Sequence, residues 1–144
     1  MIRKVGLVIS CFIILIALVL VSVINSQKEF EEILTGDTTD INKIILDTPE
    51  NKGKEHSTIN EKKIQKLVSY FKQFNYEGFD STGFMPTRAG IIYLYIEKKV
   101  NYIVYYNDEV MVNGKVYEVK DGKIDEVFLL NYYRSLADRK STHN

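Results

Sequence analysis

Side chains able to carry covalent or metal chemistry are sparse in this 144-residue chain. A transition-metal site needs several His, Cys, Asp or Glu ligands converging on one point. The two histidines, His56 and His143, fall in a polar stretch and in the polar tail, and neither has a second ligand at helical or hairpin spacing. The reading is no metal and no cofactor. Nucleophilic catalysis wants a serine or cysteine beside a histidine and a carboxylate, but the lone cysteine, Cys11, lies inside an apolar run. Phe79-Asp80-Ser81-Thr82-Gly83 approximates the Asp-Thr-Gly or Asp-Ser-Gly loop of aspartic proteases, with one residue too many. Asp, Ser and Gly together also build ordinary turns. Neither of the common glycine-rich phosphate loops occurs. The reading is that no residue is catalytic. The alternative is a small envelope hydrolase with its acids on the 75–89 segment, where Glu77, Asp80 and Arg88 are the candidates.

The aromatic content carries a different signal, with ten tyrosines and no tryptophan. In the run Ile91 to Glu97, side chains alternate between two faces, so Ile92, Leu94 and Ile96 point one way and Tyr93 and Tyr95 the other. Tyr102 or Tyr105, Tyr106 and Tyr117 add to the following strands. With the aliphatic side turned to a core, Tyr93, Tyr95 and Tyr106 form the candidate binding face, because tyrosine joins a large apolar body to a hydroxyl and is enriched at interfaces. The competing reading is that tyrosine is simply a good strand former on a half-buried pleat.

Those residues need a scaffold, and the chain supplies one. Hydrophobic residues make up 45% and charged residues 26%, which suits one folded domain rather than a disordered chain. Ile41 to Leu46 is a short β-branched run and reads as a strand. Asp47 to Ser57 has loop composition and could bend into a loose hairpin. From Asn60 to Phe74, Ile64, Leu67, Val68, Phe71 and Phe74 recur at three- and four-residue spacing, which predicts a helix. Asn60 caps it, Ile59 packs on Ile64 as a staple, and Lys62, Lys63, Lys66 and Lys72 form its solvated side. That basic face is also a candidate for lying on an anionic membrane. Asn75 to Ala89 reads as a long connection pinned by Tyr76, Phe79, Phe84 and Met85.

From Gly90 the pattern turns to strands: GIIYLYIEKK, VNYIVYYND, EVMV and KVYEV. Lys98-Lys99 and Asn107-Asp108 serve as turns. Asn113-Gly114 marks a type I′ hairpin, since both residues tolerate positive φ. Asp125 to Leu136 reads as a last helix, and 137–144 as a frayed tail. The expected fold is α+β: an N-terminal transmembrane helix, a strand, a helix, a four-stranded antiparallel meander and a C-terminal helix, arranged in a domain over 41–136.

The membrane call rests on Val5 to Ile24, which holds no charge. At about 1.5 Å per residue it covers roughly 30 Å, the thickness of a bilayer's hydrocarbon core. A cleaved signal has a shorter apolar region and a small-x-small cleavage site, so a retained anchor is the better reading. Arg3 and Lys4 precede the run and Lys28-Glu29-Phe30-Glu31-Glu32 follows it, which keeps the amino terminus in the cytoplasm and puts the rest outside the cell membrane. Residues 1–26 are then tip and anchor, and 27–40 a juxtamembrane linker in which Gln27 to Leu34 could prolong the helix. Val8-Ile9-Ser10-Cys11 resembles a lipobox, but lipidation at Cys11 would cut the run near its start. With one cysteine no internal disulfide forms. Every acid follows the run, so the outer part is slightly acidic and lacks the clustered basic face that nucleic acid needs.

The order of elements, the IQKLVSYFKQF helix and the NGKVYEV hairpin resemble small extracytoplasmic domains of unknown function in lipoproteins and anchored proteins of Bacillus-type bacteria. The likeness spans roughly 40–136 and implies no activity. Frequent Ile, Lys and Asn also suit a low-GC Gram-positive source. The reading is a single-pass, membrane-anchored binding module, related to envelope or immunity functions, whose partner is a protein or an envelope component.

Overall fold

The computed structural model describes residues 27–51, 53–78 and 89–137, together with Ile13, Ile14 and Ile16, which are helical. Most of Val5 to Ile24, along with Asp80, Arg88, His143 and the tail after Ala137, lies outside the described residues. Among the described residues no helix is long and apolar enough to cross a membrane.

The described chain is α+β, as expected, but its antiparallel sheet is larger than the expected meander. In chain order the elements are β1 (Gln27–Lys28), α1 (Phe30–Ile33), β2 (Ile41–Asp47), β3 (His56–Thr58), α2 (Glu61–Phe71), β4 (Asn75–Gly78), β5 (Gly90–Ile96), β6 (Lys99–Tyr106), β7 (Glu109–Val112), β8 (Lys115–Lys120) and α3 (Glu126–Ala137). The eight strands stand in the order β1-β4-β8-β7-β6-β5-β2-β3. Three of them are additions to the expected set. β3 closes the loose hairpin, pairing Leu46 with His56. β4 opens the connection expected over 75–89, with Tyr76 opposite Val119. β1 replaces the helical continuation expected from Gln27 and pairs Gln27 with Glu77. All three are two to four residues long, too short to show an alternating pattern of their own, and they form because a longer neighbour offers unpaired backbone groups.

Pattern explains the rest. In β5 every second residue from Gly90 to Ile96 is buried, so Ile92, Leu94 and Ile96 meet the helices, as expected from alternation. In α2 the buried residues include Ile64, Leu67, Val68 and Phe71, and Asn60 Oδ1 accepts from Lys63 N at 3.2 Å as the cap. The staple does not form: Ile59 is 79% exposed. Asn113 and Gly114 have φ of 51° and 86°, as a type I′ turn requires. The β5–β6 turn falls at Glu97-Lys98 instead of Lys98-Lys99, because Lys99 pairs with Ile96. This moves every β6 partner by two residues and sets Tyr93, not Tyr95, against Tyr102.

Among the described residues, helices cover one face only. α2 and α3 run antiparallel and are tied at both ends: Asp125 N donates to Tyr70 Oη at 2.5 Å, Tyr132 Oη donates to the Lys63 carbonyl at 3.0 Å, and Lys63 Nζ donates to the Ser135 carbonyl. Tyr70 stacks on Phe128 at 4.0 Å. Residues 27–40, read as a linker, contribute Phe30, Ile33 and Thr38 to the interior, and Phe30 stacks on Phe71 at 5.2 Å. Asn101 is the polar exception among the inward residues of the sheet. It is fully buried, with Oδ1 accepting from Thr35 N (2.7 Å) and Asn113 Nδ2 (2.6 Å) while Nδ2 donates to the Thr35 carbonyl (3.1 Å). Through it the loop after α1 is stitched to the β7–β8 turn.

Candidate interaction surface

The opposite face of the sheet has no helix over it among the described residues, and cross-strand register defines its rows. Lys43, Tyr95 and Val100 form one row across β2, β5 and β6. Ile45, Tyr93 and Tyr102 form the next. Asp47, Ile91, Val104, Met111 and Val116 form a third that reaches β8. The fourth is acidic: Tyr106, Glu109, Glu118 and Glu77.

The first three rows make a continuous apolar and aromatic surface. Tyr93 and Tyr95 are half-buried, while Tyr102 and Val100 are the more open, at 36% and 47% exposure. Lys43 Nζ lies 5.2 Å from the centre of the Tyr95 ring, a cation–π contact at the rim of the patch. Tyr93 and Tyr95 thus share the face expected for them. Tyr106 is on the same face, but four residues along β6 from Tyr102, about 14 Å away, and among glutamates. Tyr105 and Tyr117 belong to the other side. They are buried at 1% and 5% exposure, and Tyr117, counted in the sequence only among the strand tyrosines, points inward with its partner Val110. Tyr102 is the central residue that sequence reasoning left undecided, because both parities of β6 carry a tyrosine and only the number of residues in the turn decides which parity faces outward.

Like charges directly opposite one another in a sheet are destabilising, and the acidic row is relieved by Lys120, whose Nζ contacts Glu118 at 2.6 Å and Glu77 at 3.0 Å. These hydrogen bonds, that to Glu118 first, raise the Lys120 pKa above its ordinary value. Glu77, a candidate acid for the hydrolase alternative, is therefore an ion-paired strand residue. On the covered side, burial pushes the hydroxyls of Tyr76, Tyr105 and Tyr132 well above the ordinary tyrosine range. Those of Tyr76 and Tyr132 donate to backbone carbonyls, at Phe71 (2.7 Å) and Lys63 (3.0 Å). They are structural ties. His56 lies flat on Tyr133 with ring centres 4.1 Å apart, its Nδ1 3.3 Å from the Tyr133 carbonyl oxygen. Among the described residues no three His, Cys, Asp or Glu side chains are grouped to hold a metal.

A cavity of about 200 Å³ lies between β3 and the helix ends, lined by Ser57, Thr58, Ile59, Asn60, Lys63 and Leu136. Pockets that bury a small-molecule ligand usually enclose about 300–1,000 Å³. Its volume falls short of that class. Compared with protein-family models, with curated proteins and with solved structures, the chain matches none of them.

Proposed function

We propose that the chain is a single-pass, membrane-anchored extracytoplasmic module that docks a protein partner on the open face of its sheet, with Tyr93, Tyr95 and Tyr102 at the centre. Residues 5–24 hold it in the cell membrane with the amino terminus in the cytoplasm, and the folded part lies outside. The observation that carries this reading is the row in which Tyr93 pairs with Tyr102 on one side and Ile45 on the other, flanked by Tyr95 and Val100. Such a patch is apolar at its centre and edged by charge, with hydroxyls free to bond across an interface, which is the anatomy of a protein contact. Rigid tyrosines lose little conformational freedom on binding.

The test is native electrophoresis of membranes solubilised in mild detergent. The wild-type chain runs as part of a larger complex, and Tyr93→Ser combined with Tyr102→Ser releases it while chemical denaturation shows the fold retained. An unchanged complex in the double variant, or equal loss on Ser69→Arg at the exposed side of α2, would overturn the proposal.

A further inference from the structure

The apolar run ends at Ile24, and Gln27 is already hydrogen-bonded in the sheet, opposite Glu77, with Phe30 in the core at 1% exposure. Only Asn25 and Ser26 lie between. Three virtual bonds of about 3.8 Å let the Cα atoms of Ile24 and Gln27 separate by about 11 Å at most. Resting on the reading of residues 5–24 as an anchor, we infer that the sheet stands on its β1 edge against the phospholipid headgroups of the bilayer that holds the chain.

The other postures conflict with the tether or with charge. Resting on the helices would put a layer about 10–12 Å thick, on top of half the thickness of the sheet, between Gln27 and the lipid, beyond the tether's reach. Resting on the open face would press Asp47, Glu77, Glu109 and Glu118 towards an anionic leaflet with only Lys43 and Lys120 to offset them. Resting on the hairpin tips fails because Gln27 shares the row of Tyr106, and Lys99 lies seven residues further along β6, about 24 Å past it. The opposite end carries Asp108, Asp121, Asp125 and Glu126 around Lys123, an acidic excess unsuited to anionic lipid. The β1 edge is the part of the sheet that the tether reaches first. It is two residues long, ends in exposed Lys28, carries the exposed acids Glu29 and Glu32 only beyond that lysine, and offers unpaired backbone groups to headgroups and water. Lipid there would also shield the edge from adding another strand.

Seven inter-strand spacings of about 4.8 Å then lift β3 up to about 34 Å above β1. Both faces of the sheet rise steeply from the bilayer. The tyrosine face is thereby presented sideways, to a neighbour in the same membrane.

The experiment uses the full chain with Cys11→Ser and one new cysteine at a time, Lys28→Cys, Ser57→Cys, Ser69→Cys or Tyr102→Cys, each carrying a fluorescent donor. The chain is reconstituted in phosphatidylcholine–phosphatidylglycerol vesicles with headgroup-attached acceptors. The expected result is a gradient: the Lys28 label nearest the headgroups, the Ser57 label at least about 20 Å farther, and the Ser69 and Tyr102 labels between them. Equal distances for Lys28 and Ser57, or a Ser69 or Tyr102 label nearer than Lys28, would overturn the posture alone. Release of the chain by alkaline carbonate would overturn the anchor reading and the posture with it.

Discussion

Gly90 is where a single atom matters most. A Cβ there would overlap the buried ring of Tyr105, whereas one on Gly78 would make ordinary contact with Tyr117 at 3.7 Å. Gly90→Ala should therefore cost about 1–3 kcal/mol, the usual range for overpacking, and Gly78→Ala should stay within about 0.5 kcal/mol. Urea denaturation of the two variants measures the contrast, and equal effects would mean that Tyr105 has room to move. Asn101→Leu removes the partner of both backbone groups of Thr35 and of the Asn113 amide. Thr35 and Asn113 are exposed, so their groups can turn to water, and the same denaturation should show a loss of about 0.5–1.5 kcal/mol for each bond removed, the net worth of a hydrogen bond. The open-face tyrosines behave differently. Tyr102→Ala should change stability by less than about 1 kcal/mol, since the residue is 36% exposed and no helix of the described residues lies over it. Residue-scale reading of the sequence could separate Tyr93 from Ile92, but it left Tyr102 and Tyr105 open, because that choice depends on whether the turn before them holds an even or an odd number of residues.

At the scale of elements, two ionic clasps hold short pieces to long ones. Glu31 of α1 pairs with Lys72 just after α2, and the hydrogen bond from that lysine holds the Glu31 carboxyl below its ordinary range. A depressed folded-state pKa gives stability that is present above the unfolded value and lost as pH falls through the folded one. Glu31→Gln should then destabilise by less than about 1 kcal/mol near neutral pH, the scale of an exposed pair. The difference should vanish in acid, which denaturation at about pH 7 and about pH 3 can read. Lys120 has the opposite sign. Its raised folded-state pKa gives stability that is full below the ordinary lysine value of 10.5 and lost as pH rises through the folded value. Lys120→Met should expose the Glu109–Glu118–Glu77 row to its own repulsion, and the loss should shrink in strong alkali and with added salt. The elements themselves were unevenly legible. β5 to β8 and α2 announce themselves through alternation, Asn113-Gly114 and a three-four stripe. β1, β3 and β4 do not, because Gln27–Lys28, His56–Thr58 and Asn75–Gly78 are paired by their neighbours' edges and not by any pattern of their own.

Taken together, the described residues are asymmetric: helices and most buried tyrosines on one side of the sheet, an aromatic surface with no described helix over it on the other. That asymmetry was half visible in the alternation of β5, where Ile92, Leu94 and Ile96 are inward and Tyr93 and Tyr95 outward. The rest depended on long-range pairing. Ile45 reaches Tyr93 only because β2 docks on the outside of β5, a contact between residues 48 positions apart in the chain that no local pattern encodes. The central claim, that this face receives a protein partner outside the membrane, is tested most directly by a photo-crosslinking amino acid placed at Tyr102 or at Ser69 in intact cells. The account predicts one discrete adduct from Tyr102, absent when Tyr93→Ser is also present, and none from Ser69. Adducts of equal yield from both positions, or none from Tyr102, would contradict it.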